Sequence, residues 1–164
     1  MILLKDLLLE MRSLNLLIPR RVEDRMEKYI QTKAKEYIKN KNVGDFDISG
    51  LGLTTLPALL KNLKIGGSFD CGYNRLDSLV GAPTSVGRDF LCNDNKLTSL
   101  VGAPTSVKNF YCNNNLLKSL DGLIRLDGVR TSVGGDFHCY DNAVKFTEEQ
   151  VRAVCDVKGV VYTY

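Results

Sequence analysis

Between Phe69 and Leu120 one phrase is written nearly twice and then begun a third time. Phe69-Asp-Cys71-Gly-Tyr-Asn74-Arg-Leu76-Asp-Ser-Leu79-Val-Gly-Ala-Pro83-Thr-Ser-Val86 is followed by Phe90-Leu-Cys92-Asn-Asp-Asn95-Lys-Leu97-Thr-Ser-Leu100-Val-Gly-Ala-Pro104-Thr-Ser-Val107, and then by Phe110-Tyr-Cys112-Asn-Asn-Asn115-Leu-Leu117-Lys-Ser-Leu120. Self-similarity at a short fixed period constrains a chain more than its composition does. No such unit can bury its apolar face alone, and each closes its core by stacking on the next. The expected fold class is an α/β solenoid: a right-handed coil of about five repeats with one short parallel strand per repeat.

The remaining repeats are found by alignment. Asp45-Phe46-Asp47-Ile48-Ser49-Gly50-Leu51-Gly52-Leu53-Thr-Thr-Leu56-Pro57 matches the phrase with Leu51 in place of the Asn, and Phe137 to Phe146 keeps Cys139, Asn142 and Val144. The phenylalanines at 46, 69, 90, 110 and 137 are spaced by 23, 21, 20 and 27 residues. The long interval is placed in Asp121-Gly-Leu-Ile-Arg-Leu126, on the return side of its repeat, as a loop or one extra helical turn.

Three parts follow: an N-terminal helical cap over 1–44, the repeats over 45–146, and a C-terminal helix-strand cap over 147–164. Leu3, Leu4, Leu7, Leu8, Met11 and Leu14 mark one face of a first helix, and Val22, Met26, Tyr29, Ile30, Tyr37 and Ile38 mark a second that runs from Pro19 to about Lys39. A hairpin of these helices would cover the first repeat. A rival reading makes Leu3 to Leu17 a dimerisation or partner-docking helix, and the oligomeric state stays open. At the other end, Thr147 and Gln150 form a capping box with Phe146 and Val151 as its staple. That helix is expected to reach Asp156, with Gly159 breaking it and Val160 to Tyr164 forming a final strand.

The chain has 164 residues, is 44% hydrophobic and 25% charged, and carries a net charge of +3; one soluble domain is the expectation. The first 44 residues hold ten Lys/Arg against six Asp/Glu, whereas 45–146 are balanced at ten each. Charges interrupt the apolar N-terminus, so neither a secretory signal nor a membrane span is expected. Five cysteines without an export signal point to free thiols in a reducing compartment, the cytoplasm.

Within Phe-x-Cys the side chains alternate, so Phe and Cys point into the core and their neighbours to solvent. Asn74, Asn95, Asn115 and Asn142 are expected to turn inward as a structural ladder that satisfies backbone groups. Cys71, Cys92, Cys112 and Cys139 are right in number for zinc. On strands ~4.8 Å apart, however, the outer two are too distant to share a metal, so no metal and no cofactor are expected. His138 and Cys139, on opposite faces of a strand, cannot act as base and nucleophile. With no phosphate loop or histidine pair elsewhere, an enzyme is not expected.

The outward positions form columns. One reads Asp47, Asp70, Leu91, Tyr111, His138; the next Ser49, Gly72, Asn93, Asn113, Tyr140; a third Gly50, Tyr73, Asp94, Asn114, Asp141, with Asp45, Asp89 and Asp136 flanking. Aromatic groups among amides and carboxylates suit the centre of a protein interface. The residues expected to bind a protein partner are Tyr73, Leu91, Asn93, Asp94, Tyr111, Asn113, His138 and Tyr140.

The unit Val-x-x-x-Phe-x-Cys-x-x-Asn-x-Leu-x-x-Leu-x-x-x-Pro resembles the leucine-rich repeat, with Phe90, Cys92, Asn95, Leu97 and Leu100 on that motif's apolar and Asn positions. Its short period is similar to that of bacterial effectors injected by type III secretion, and the Gly-Ala-Pro-Thr-Ser-Val phrase resembles repeat proteins of large bacteriophages. The resemblance covers 45–146 and implies a scaffold for recognition. For a phage protein it further implies a host-takeover or anti-defence factor in the host cytoplasm; for an effector, an injected scaffold. The leading reading is non-catalytic protein recognition through the strand face. Its rival is nucleic-acid binding by Arg20, Arg21, Arg25, Lys28, Lys33, Lys35, Lys39 and Lys41. Glu23, Asp24, Glu27 and Glu36 interleave with those cations and argue for an ordinary solvated helix face.

Overall fold

A computed structural model of the chain describes residues 24–164. The expected first helix over 2–17, the start of the second at Pro19 and the turn between them lie outside the described residues. Residues 24–39 are helical (α1). There follow β1 (Phe46–Asp47), a 3₁₀ helix (Ala58–Asn62), β2 (Phe69–Asp70), β3 (Phe90–Leu91), β4 (Ser106–Val107), β5 (Phe110–Tyr111), β6 (Thr131–Val133), β7 (Phe137–His138), α2 (Glu148–Val154), β8 (Cys155–Val157) and β9 (Val161–Tyr162).

The result is an α/β fold with few helices and parallel strands in two sheets. The larger sheet has six strands in the order β1-β2-β3-β5-β7-β9. Its register places Phe46, Phe69, Phe90, Phe110, Phe137 and Val161 side by side. All five phenylalanines are fully buried, and consecutive rings lie 6.0, 5.8, 5.2 and 5.1 Å apart between centroids. The strands are short because the chain leaves the sheet just beyond the Cys. Tyr73, Asp94, Asn114 and Asp141 all have φ between 52° and 54°, and Gly50, in the same position, has 64°. This left-handed backbone is open chiefly to Gly, Asn and Asp. Tyr73 is the costly occupant.

One strand per repeat was too few. The Thr-Ser-Val phrase forms a second parallel sheet, β4-β6-β8, extended toward the N-terminus by bridges at Ser85–Ser106 and Ile65–Val86. Its inward column is regular: Val86, Val107, Val133 and Val157 are buried in register. Between the sheets, Val-Gly-Ala-Pro makes a tight return. At Gly102, φ is +97° and a Cβ would meet the Leu79 carbonyl carbon and oxygen at 2.5 Å, so only glycine lets successive returns stack this closely.

At the N-terminal end α1 buries Ile30, Ala34 and Tyr37, while Tyr29 and Ile38, expected on its apolar stripe, are half exposed. The Tyr37 ring meets Phe46 edge-on at 5.3 Å. Its hydroxyl lies 2.9 Å from the Gly44 carbonyl and accepts from the Gly66 N–H at 3.0 Å. At the C-terminal end Thr147 and Gln150 make the capping box, and Phe146 and Val151 are buried. The helix stops before Asp156, however, and Cys155 opens β8, paired with Thr131. Arg152 secures this early exit by donating to the carbonyls of Val157 at 2.6 Å and Gly159 at 2.8 Å. Gly159 therefore breaks no helix; it lies against Gly135, where a Cβ would come within 2.6 Å of the backbone. Val144 is 43% exposed rather than part of the core.

The extra length before Phe137 is neither a plain loop nor a helical turn. Ile124 and Arg130 form an antiparallel bridge, and the Gly128 N–H donates to the Arg125 carbonyl at 2.9 Å, closing a small hairpin with Leu126 at its tip.

Candidate functional site

The outward face of the six-stranded sheet is built on two polar ladders. In the first, the Asn95 amide accepts from the Leu76 N–H at 2.9 Å and donates to the carbonyls of Cys71, Cys92 and Asn93 at 3.0 to 3.2 Å. Asn74, Asn115 and Asn142 repeat the pattern, accepting from Leu53, Leu97 and Leu117. Every one of these amides reaches into the preceding repeat. This gives Leu51 a reason: the first repeat follows no other whose backbone would need the amide.

The second ladder was not anticipated. Asp45, Asp89 and Asp136 were expected simply to flank the face, yet their carboxylates hold neighbouring repeats together. Asp45 accepts from the Ser68 N–H at 2.7 Å, Asp89 from the Asn109 amide at 2.8 Å, and Asp136 from the Val160 N–H at 2.8 Å. The signal was the recurrence of a short polar residue just before each repeat's Phe.

The cysteines are core. Cys71, Cys92 and Cys112 are buried and direct their thiols at the carbonyls of Leu91, Tyr111 and His138, at 3.2 to 3.3 Å. Burial pushes the Cys139 thiol up to about 11 and the Cys155 thiol up to about 12, and those of Cys71, Cys92 and Cys112 further in the same direction. Thiols held protonated are poor nucleophiles and poor metal ligands. Among the described residues no group of three or more His, Cys, Asp or Glu is placed to hold a metal ion.

On the surface, one column becomes a stack. The rings of Tyr111 and His138 lie 4.4 Å apart and 16° from parallel, and those of His138 and Tyr162 4.3 Å and 10°. Tyr140 meets His138 edge-on at 6.3 Å. Tyr162 was not among the expected partner-binding residues; β9 brings it into register with His138, and Tyr164, 92% exposed, lies two residues further on. Burial lowers the His138 pKa, opposed by the Asp136 carboxylate. Burial, with the charges of Asp89 and Asp136, raises that of the Tyr111 phenol. Both shifts favour the uncharged forms of His138 and Tyr111.

The other expected residues are placed unevenly. Leu91 is half-buried in the same column, between Asp70 and Tyr111. Asn93 donates to the Asp94 carboxylate at 2.7 Å. Tyr73 stands out, 66% exposed. Asn113 is not available to a partner: it is 6% exposed, a short side chain beside the much larger Tyr140 one strand spacing (~4.8 Å) away.

Asp47 and Asp70 occupy the other end of the column. Burial pushes the Asp70 carboxyl up against the hydrogen bond from the Gly72 N–H, and the nearby charge of Asp47 adds to the rise. At Asp47 burial acts in the same direction but is outweighed by hydrogen bonds from Ser49 and by the charge of Lys33, so its carboxyl lies lower than usual.

An open trough of about 980 Å³ lies on the return side. Val80 and Val101 line it, with Gly81, Gly102 and the alanines beside them, and the hairpin at Ile124 to Asp127 forms one wall. Leu126 at the tip is fully exposed. Only the 27-residue interval before Phe137 hinted at it.

Of the basic residues considered for nucleic acid, Arg20 and Arg21 lie outside the described residues. Arg25, Lys28, Lys35, Lys39 and Lys41 are exposed, and Lys33 leans over the rings of Tyr29 and Phe46 at 6.0 and 5.8 Å. Among the described residues no helix is long and apolar enough to cross a membrane. No protein-family model, curated protein or solved structure matches this chain.

Proposed function

We propose that the chain is a non-catalytic recognition protein, a right-handed solenoid of the short leucine-rich-repeat type, that binds a protein partner through the outward face of its six-stranded sheet. The solenoid reading is supported by the in-register Phe positions and by the Asn ladder that joins each repeat to the one before. The reading of function is carried by the stack Tyr111, His138 and Tyr162. Three rings held face to face on a sheet have lost most of their rotamer freedom before any partner arrives. Their exposed edges can therefore bury apolar area at little further entropic cost. Burial holds all five cysteine thiols toward their protonated form, which fits binding rather than turnover.

The test is affinity capture from a lysate of the source cell, comparing the native chain with Tyr111→Ala/Tyr162→Ala. A partner depleted about tenfold or more, with melting curves showing the variant folded, is the expected outcome. Retention of every captured protein overturns the assignment of this face.

A further inference from the structure

We infer that the partner segment bound by this face is cationic, an extended stretch of protein carrying lysine or arginine. The inference rests on the strand face being the recognition surface and adds to it the chemistry of what is recognised.

The chain holds 22 lysines and arginines against 19 aspartates and glutamates, yet its charges are sharply sorted. The four outward columns named above hold no lysine or arginine and seven aspartates: Asp45, Asp47, Asp70, Asp89, Asp94, Asp136 and Asp141; Arg75, Arg88, Lys96 and Lys108 stand one or two residues outside them. In a basic protein these columns carry only negative charge. Nor are these charges neutralised within the molecule. The ion pairs among the described residues join Arg125 to Asp127, Arg130 to Asp156 and Arg152 to Glu148, all away from this sheet. Lys33 acts on Asp47 from α1.

Like charges gathered on neighbouring strands repel, and burial together with the charge of Asp47 raises the Asp70 carboxyl. Such a surface gains from a ligand that supplies the missing cations, and complementary potential speeds encounter and sets orientation. The dimensions fit a short extended segment. From Asp47 to Tyr162 the column spans five strand spacings, roughly 24 Å, about seven residues of extended chain. A peptide lying across the strands would place cationic side chains over Asp47 and Asp70 and rest its apolar part on Leu91, Tyr111 and the stack, with Asp94 and Asp141 alongside.

Selection of a random peptide library on the immobilised full chain tests this, followed by titration of the selected peptides into the native protein and three variants. Asp47→Asn/Asp70→Asn and Asp94→Asn/Asp141→Asn remove charge while keeping the hydrogen-bonding shape of the side chain and its tolerance of left-handed backbone; Tyr111→Ala/Tyr162→Ala removes the stack. The expected result is enrichment of peptides with an excess of Lys and Arg. Their affinity should fall about tenfold or more in each acid variant, in the stack variant, and between roughly 0.05 and 0.5 M salt. Enriched peptides that are neutral or acidic, lose affinity in the stack variant and ignore the acid variants overturn the cationic partner but leave the face as the binding surface. Peptides insensitive to all three variants, or no enrichment, overturn both.

Discussion

A single amide shows how much one side chain can hold here. Asn95 accepts from the buried Leu76 N–H and donates to carbonyls of two repeats, and 9% of it reaches solvent. Removing it leaves buried backbone groups unpaired, so Asn95→Ala should lower unfolding free energy by about 2–4 kcal/mol in urea titrations. Asn95→Asp should do no better, because a carboxylate cannot donate to three carbonyls. His138 gives a pH test. Burial holds its native pKa below the ordinary value, so as pH falls the unfolded chain takes up the proton first. Stability should be flat above about pH 6.5 and decline below it. Melting temperatures from about pH 7.5 to 5.5 should show this decline in the native chain and less of it in His138→Asn, since His138 is the only histidine present.

At the scale of elements, the glycine of the return sets how closely repeats approach. Gly102→Ala adds a Cβ where the backbone of Leu79 already stands at 2.5 Å, on a residue with φ of +97°. It should cost about 2–4 kcal/mol by denaturant unfolding, whereas Gly128→Ala, with nothing within 4 Å of its Cβ, should cost less, from its φ of +80° alone. Elements with a local signal were legible in the sequence, the Phe-x-Cys strands and the capped start of α2 among them, and those set by tertiary contacts were not. Phe-x-Cys announced its strand because alternation and recurrence agree. Thr-Ser-Val recurred as well, but Thr84 and Thr105 are not buried, so only the Val recurs inward and no alternation shows. The exit from α2 at Cys155 depends on Arg152 reaching carbonyls several residues ahead and on Thr131 offering a strand to pair with, both of them tertiary contacts. Tyr162 was missed for the same reason: a final strand was evident in Val160 to Tyr164, but not that it would join the Phe column and complete the aromatic stack. Asn113 was misplaced because alternation tells direction and not how tall the neighbours are.

In the whole molecule each strand touches mainly the strands beside it, so local stability should vary along the stack. In the larger sheet the amides of Cys71, Cys92 and Cys112 donate to the strand that follows, at 2.8 to 2.9 Å, while beyond β9 there is no further strand among the described residues. Hydrogen exchange should accordingly be slowest at those three amides and more than about tenfold faster at Val161 and Thr163; equal protection throughout would mean that the stack opens only as one unit. The asparagine ladder adds a direction to this picture. Because each amide also binds groups of the repeat on its N-terminal side, its full set of partners exists only once that repeat is in place. Chains emerge from the ribosome N-terminus first. Each new asparagine therefore meets a finished template and never waits for one, so this fold can be laid down in the order in which it is translated.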